Sequence, residues 1–181
     1  EGVGVNIICP ANWVRSSIEY LKHLKKEGNA PAKHGGVGGL DVGGGGTGLS
    51  VFVPRWGPLV GKSKSWDDDD SINIAYHAQT EARNRKCDML LYDSVGVGVG
   101  VTSALRRMTV VNKGVNVGMK PTRRRWADGK KSRDKFQNLK AELWWDLRDR
   151  LRCTHEHWTF LSTEGAKGKM HKLEDMILLP D

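Results

Sequence analysis

Leu90-Leu91-Tyr92-Asp93-Ser94-Val95-Gly96-Val97-Gly98-Val99-Gly100-Val101 reads as a short buried strand that delivers one carboxylate to a glycine-rich turn. An acid at the C-terminal end of an apolar strand, followed by glycines that admit backbone or ligand at close range, puts charge at the edge of a site. Asp93 is that acid. Upstream, Val37-Gly38-Gly39-Leu40-Asp41-Val42 carries Asp41 in a similar setting. Two strand-borne carboxylates from distant positions suit convergence on a divalent metal ion, whose preferred ligands are oxygens.

Working outward from this pair, Ser71 to Arg85 places Ile74, Ala75, Ala78 and Ala82 at helical spacing without proline or glycine, which predicts a helix capped by Asp70. The run Asp67 to Asp70 lacks the spacing of an EF-hand loop and reads as a charged loop. Beyond Asp93, Thr102 to Met108 predicts a helix whose N-terminal end lies near Asp93, where the helix dipole favours an anionic group. Val110, Val111, Val115 and Val117 suggest another short strand or two. After Asp41, Gly43 to Gly48 satisfies the G-x-G-x-x-G pattern, but that fingerprint requires a following helix and Leu49-Ser50-Val51-Phe52-Val53 is β-prone. A hairpin is the better reading, with Arg55-Trp56-Gly57-Pro58 turning into a third strand from Leu59 to Lys62. Gly57 to Ser63 imitates a phosphate-binding loop one residue short, with Trp56 where the motif needs glycine and no helix behind it. Hairpin, helix, strand is an α/β order.

The flanks read differently. A surface helix is expected over 11–25, with Val14, Ile18, Leu21 and Leu24 on one side and Pro10 and Asn12 at its start. Residues 28–36 form a loop, and His23 and His34 read as solvated. The clearest helix is 136–152, where Phe136, Leu139, Leu143, Trp144, Leu147 and Leu151 form a stripe that should pack on the sheet. Its other side mixes Glu142, Asp146 and Asp149 with Lys140, Arg148, Arg150 and Arg152, the pattern of a salt-bridged face, on which Glu142 is the candidate ligand. Between sheet and helix, 120–135 holds Lys120, Arg123, Arg124, Arg125, Lys130, Lys131, Arg133 and Lys135 against Asp128 and Asp134. With Pro121, Trp126 and Gly129 interleaved, it reads as a mobile loop whose cations contact phosphates while the aromatic stacks.

Composition bounds the rest. A chain of 181 residues supports one domain with a real core, and a net charge of +8 points to a polyanionic partner such as nucleic acid. Cys9, Cys87 and Cys153 are odd in number and widely spaced with no C-x-x-C pair, so neither a disulfide framework nor a thiolate zinc site is suggested and the thiols read as reduced and mostly buried. No apolar run reaches membrane-spanning length and no leader opens the chain, so a soluble, cytosolic, non-secreted protein is expected. The start at Glu1 without methionine suggests a processed chain or an excised fragment.

Taken together, Gly39-Leu40-Asp41-Val42, Tyr92-Asp93-Ser94-Val95-Gly96-Val97-Gly98-Val99 and the helix Phe136 to Leu151, with its Glu142-Leu143-Trp144-Trp145-Asp146-Leu147-Arg148 core, resemble the C-terminal nuclease domain of the large terminase subunit of tailed bacteriophages. The likeness runs from about Pro10 to Asp181. It implies an RNase H-like α/β fold with a mixed central sheet and flanking helices, arranged as a single domain over 1–181: a sheet core over 37–117, the basic loop, the packing helix and a C-terminal segment over 153–181. The implied activity is a divalent-metal-dependent endodeoxyribonuclease that cuts concatemeric double-stranded DNA during packaging in the host cytoplasm. Two Mg²⁺ or Mn²⁺ ions would be held by Asp41, Asp93 and a third acid. Relatives carry acids in the turn after the first motif, where this chain has glycines, and carry the third acid near the C-terminus, where Asp175 is the stand-in. That segment equally resembles a stretch preceding the third motif, so the chain would end before its site is complete. An ATPase motor domain, a portal protein and a small terminase subunit are the implied partners. Alternatives are a degenerate domain that binds DNA without cutting it, or another RNase H-like enzyme such as a resolvase or transposase core.

Overall fold

The computed structural model describes residues 8–43, 48–95, 98–163 and 167–181. In chain order its elements are α1 (Ala11–Lys26), β1 (Gly36–Asp41), β2 (Ser50–Trp56), β3 (Leu59–Val60), β4 (Lys64–Trp66), α2 (Ser71–Asn84), β5 (Cys87–Asp93), α3 (Gly98–Leu105), β6 (Val111–Val115), α4 (Ser132–Lys135), α5 (Leu139–Ser162) and a 3-10 turn (Leu173–Asp175). They fall into two compact units, one spanning Pro31–Asn116 and one formed by residues up to Ala30 together with Val117–Leu179.

The first unit is a sheet of order β3-β2-β1-β5-β6, with β4 on the far part of β2. β1 runs antiparallel to β2 and parallel to β5, and β5 runs parallel to β6, so the sheet is mixed. One face is covered by α2 and α3, whose Ile74, Ala75, Ala78, Val101 and Leu105 enclose Leu40, Phe52, Leu90 and Tyr92. Burying these side chains contributes on the order of 1.5–3 kcal/mol for each large one. Small residues on α2 let the helix lie close. On the sheet itself Gly38 is required, because a Cβ there would stand 2.4 Å from the Phe52 ring.

Several sequence expectations are met locally. Asp70 caps α2 by accepting from the Ile72 amide at 2.7 Å, and Asp68 accepts from the Asp70 amide. The acidic run is therefore a capping loop. The glycine turn after Asp41 does join two strands, although Gly44 to Thr47, like Gly96 and Val97, lie outside the described residues. At its start, a Cβ on Gly43 would stand 2.0 Å from the Gly48 carbonyl oxygen, and the Gly43 amide donates to Ser50 Oγ at 3.0 Å. Arg55 and Trp56, expected in the next turn, belong to β2 instead, opposite Val60 and Leu59, and the turn shrinks to Gly57-Pro58. Pairing with β3 and the bond from Trp56 Nε1 to the Arg85 carbonyl hold them extended.

The second unit packs α1 along the C-terminal half of α5. Asn138 caps α5 by accepting from the Ala141 amide at 2.9 Å, so the helix begins three residues later than expected and continues to Ser162. Of the expected stripe only Leu151 is buried, while Leu143 and Trp144 stay about half exposed. The face in contact with α1 is built by Leu151, Thr154 and His157 against Ser17, Tyr20 and Leu21. Thr154 and His157 look polar in sequence but are satisfied inside. Thr154 Oγ1 and Ser17 Oγ both donate to the Ile177 carbonyl, which anchors the buried segment Met176-Ile177-Leu178. His157 Nδ1 accepts from the His171 amide, which leaves Nε2 to carry the ring proton toward Tyr20. Cys87 and Cys153 are buried free thiols and Cys9 is partly covered. Among the described residues no helix is long and apolar enough to cross a membrane.

Candidate active site and nucleic-acid interface

Parallel pairing of β1 with β5 sets Leu40 opposite Tyr92. The next residue on each strand is an aspartate, so Asp41 and Asp93 end side by side on neighbouring strands, with about 5 Å between the two backbones. Leu40 and Tyr92 point into the helix-covered core, so strand alternation turns both carboxylates to the opposite face. On that face a trough of about 530 Å³ runs along the sheet, lined by Val37, Gly39, Val53, Arg55, Val60 and Leu91. The two acids stand beyond its upper end.

Their oxygens are largely uncommitted. Asp93 Oδ1 accepts from the Val95 amide at 3.0 Å, which fixes the side chain in a local turn. The Asp41 carboxylate has no hydrogen-bond partner among the described residues. Beyond this pair, the described residues contain no group of three or more Asp, Glu, His or Cys side chains gathered as metal ligands. The donor set still suits a hard cation, since Mg²⁺ is commonly held by one or two carboxylates with water and phosphate oxygens completing its shell.

The other two candidate acids lie in the helical unit. Glu142 is 3% exposed. Its Oε1 accepts from Thr122 Oγ1 and Ser132 Oγ, and its Oε2 accepts from the Thr122 amide at 2.7 Å. Burial opposes the charged form, but these donors and the nearby Arg124 outweigh it and hold the carboxyl below its ordinary range. These three bonds tie Glu142 to the basic segment. Asp175 ends the 3-10 turn and is exposed on a cleft of about 280 Å³ shared with Asp146, Asp149, Arg150 and Arg152. Asp146 is tied there by Arg124 and Arg150.

The basic segment is folded on its own hydrogen bonds. Trp126 and Lys130 are joined through the Trp126 amide and the Lys130 carbonyl at 2.9 Å, the Ser132 amide reaches the Arg124 carbonyl, and Arg125 bridges Lys131. Trp126, expected to offer a stacking face, is buried: its Nε1 donates to Ser132 Oγ, and Arg124 and Lys135 lie over its ring. Arg124 pairs with Asp146, Lys135 with Asp128, and Arg133 reaches the Pro121 carbonyl. Lys120, Arg123, Lys130 and Lys131 are exposed without an ion pair among the described residues. The hairpin therefore displays cations on a frame fixed from beneath by Glu142. Sequence spacing gave no signal for this frame beyond a Thr and a Ser flanking the cations.

No family model and no curated protein matches the chain. Solved structures do. A mutant nuclease domain of the large terminase subunit gp2 of bacterial virus Sf6, with manganese and beta-thujaplicinol, superposes with a TM-score of 0.78 at 21% identity, covering 96% of this chain and 73% of that one. The nuclease domain of the same subunit, and a mutant form of it with calcium, each superpose with a TM-score of 0.77 at the same identity and coverage. The chain has the RNase H-like fold of a terminase nuclease domain.

Proposed function

We propose that this chain is a divalent-metal-dependent endonuclease domain that cuts double-stranded DNA in viral DNA packaging. The observation that carries this reading is the pair of uncommitted carboxylates, Asp41 and Asp93, side by side at the ends of parallel strands in this fold. They would hold the metal, with Asp175 as the proposed third acid and Glu142 left out because its oxygens are already bonded. Bound there as one or two Mg²⁺ or Mn²⁺ ions, the metal would supply a nucleophile at neutral pH and charge stabilisation on phosphorus. Asp93, restrained by the Val95 amide, presents a preset oxygen and so limits reorganisation on binding. Lys120, Arg123, Lys130 and Lys131 neutralise backbone phosphates and position the duplex without reading its sequence. The reading treats both units as one nuclease-like domain. A portal protein, a small terminase subunit and an ATPase domain are its proposed partners, in the host cytoplasm.

One observation favours a second reading. Because the described residues gather two acids and not three, the chain would bind DNA through its hairpin without cutting it. Nicking of supercoiled plasmid in Mn²⁺ or Mg²⁺ separates the two. Nicking by the parent, lost in Asp41→Ala and Asp93→Ala with DNA binding retained, supports the nuclease. Tight binding by folded parent chain with no nicking under either metal selects the binding-only domain.

A further inference from the structure

On the face of the sheet that carries the two acids, strand register sets the side chains out in rows. Asp41 stands opposite Val51 and Asp93 opposite Val115, and one step lower Val53, Gly39, Leu91 and Lys113 form the next row. The step is two residues, about 6.6 Å along the strands. Lys113 is exposed and has no ion pair among the described residues. Its neighbour Asn112 turns to the helix-covered side, where it donates to the Leu105 carbonyl, so strand alternation turns Lys113 to the side of the acids. Leu91 beside it lines the trough on that same side. Lys113 is one strand and one step from Asp93, about 8 Å between backbones. An ammonium on a flexible four-carbon stem reaches the space in front of the carboxylates from there.

Gly39 is the odd member of that row. In the same strand Gly36 and Gly38 are demanded by packing, since a Cβ would stand 2.6 Å from Trp56 Nε1 and 2.4 Å from the Phe52 ring. At Gly39 a Cβ would meet only the Val53 carbonyl oxygen, at an ordinary 3.7 Å, and the residue is exposed. Packing gives no reason for a glycine there, although glycine weakens a strand interior. A bare position inside a strand is the mark of a place where a ligand or another backbone comes close. Here it lies one step from the acids and in line with a cation, which suits a chain of phosphodiesters. Building on the nuclease reading of the acid pair, we propose that this row seats the sugar-phosphate backbone of the DNA strand that reaches Asp41 and Asp93. Lys113 pairs with one of its phosphates, and Gly39 leaves the clearance for the strand to lie against the sheet. A lysine on an edge strand also guards against pairing with another sheet, but that role requires neither a bare Gly39 in the same row nor any effect on DNA.

Fluorescence anisotropy of a labelled DNA duplex with the intact chain, titrated in Ca²⁺ at several salt concentrations, tests the row, with plasmid nicking in Mg²⁺ measured alongside. Lys113→Ala is expected to lower the log-log salt slope by about one and Lys113→Arg to keep it, since one phosphate contact is lost or retained. Lys64→Ala removes an exposed cation opposite Phe52 on β4 and should leave the slope unchanged. Gly39→Val should weaken binding by about tenfold or more while the melting temperature stays level or rises, because a β-branched residue suits a strand. Unchanged slope and affinity in Lys113→Ala and Gly39→Val, with nicking still lost in Asp41→Asn, overturn the row and leave the nuclease reading in place. No nicking by the parent, with a lower slope in Lys113→Ala and weaker binding in Gly39→Val, supports the row and removes the nuclease reading. A melting temperature that drops in Gly39→Val makes the glycine a requirement of the fold and overturns its role. Self-association of Lys113→Ala at an unchanged slope overturns the phosphate contact in favour of an edge guard.

Discussion

Asp41 and Asp93 stand at the open end of two strands with lone pairs to spare, whereas Glu142 lies buried with both oxygens taken by Thr122 and Ser132. All three are carboxylates on regular elements, and sequence offers each as a ligand. The difference lies in the donors around them. A carboxylate that already accepts three hydrogen bonds organises protein, while one with a single local bond, or none, remains available to a cation or a substrate. The two units divide the work along that line: the sheet presents acids, and the helical unit uses an acid to present bases.

The sharpest way to break this contrast is to neutralise each acid in turn. Asp41→Asn and Asp93→Asn are expected to lower plasmid nicking by on the order of a hundredfold or more, through loss of the proposed metal ligands, with little change in melting temperature. Nicking that survives both substitutions ends the assignment. Glu142→Ala should do the reverse. It strands the Thr122 amide and the Ser132 hydroxyl in a buried site, and urea denaturation should show a loss of about 2–4 kcal/mol. A loss below about 0.5 kcal/mol would mean that water replaces the carboxylate and that the frame is not needed.

A smaller effect sharpens the role of the hairpin. Replacing Lys120, Arg123, Lys130 or Lys131 by alanine should each weaken DNA binding uniformly across sequences and lower the log-log salt slope by about one. Arg124→Ala should instead lose stability as well, since Arg124 covers Trp126 and pairs with Asp146. Equal salt slopes for parent and hairpin variants would move the DNA contact elsewhere.

The smallest effect is a pH dependence of the helical unit. His157 is pulled below its ordinary value of 6.5, chiefly by burial and then by the charge of His171. The unfolded chain therefore takes up this proton first, and stability falls as pH drops below about 6.5 toward the folded value. Glu142, Asp146 and Glu156 are held below their ordinary range, so their contribution is complete above the ordinary carboxylate values and is lost as pH falls through the lowered ones. Melting temperature followed from about pH 8 to about pH 3 should decline in two stages, and His157→Gln should flatten the upper one. A flat profile above about pH 5 would show that His157 is not kept neutral by the fold.

Much of the fold was legible because it is written locally. Asp70 before an apolar helical period marked α2, and β-branched and aromatic residues after the glycines marked β2 against the dinucleotide reading. The long helix was seen but its contacts were not. Its apolar stripe at Leu143 and Trp144 is open, and the face in contact with α1 contains Thr154 and His157, which count as buried only once Ile177, Tyr20 and the His171 amide supply their partners. Trp126 misled for the same reason: an aromatic among cations fits a stacking surface until Ser132 accepts its N–H in the interior.

By itself the sequence determined the α/β order, the placement of Asp41 and Asp93 at strand ends, and the concentration of positive charge in one segment, because propensity, periodicity and composition act over a few residues. Only the tertiary structure decided that those two aspartates are neighbours, that Glu142 is consumed in holding the hairpin, and that Trp144 is left open while Trp126 is not. Each of these depends on strand register or on donors brought from far along the chain, and no local pattern carries that information.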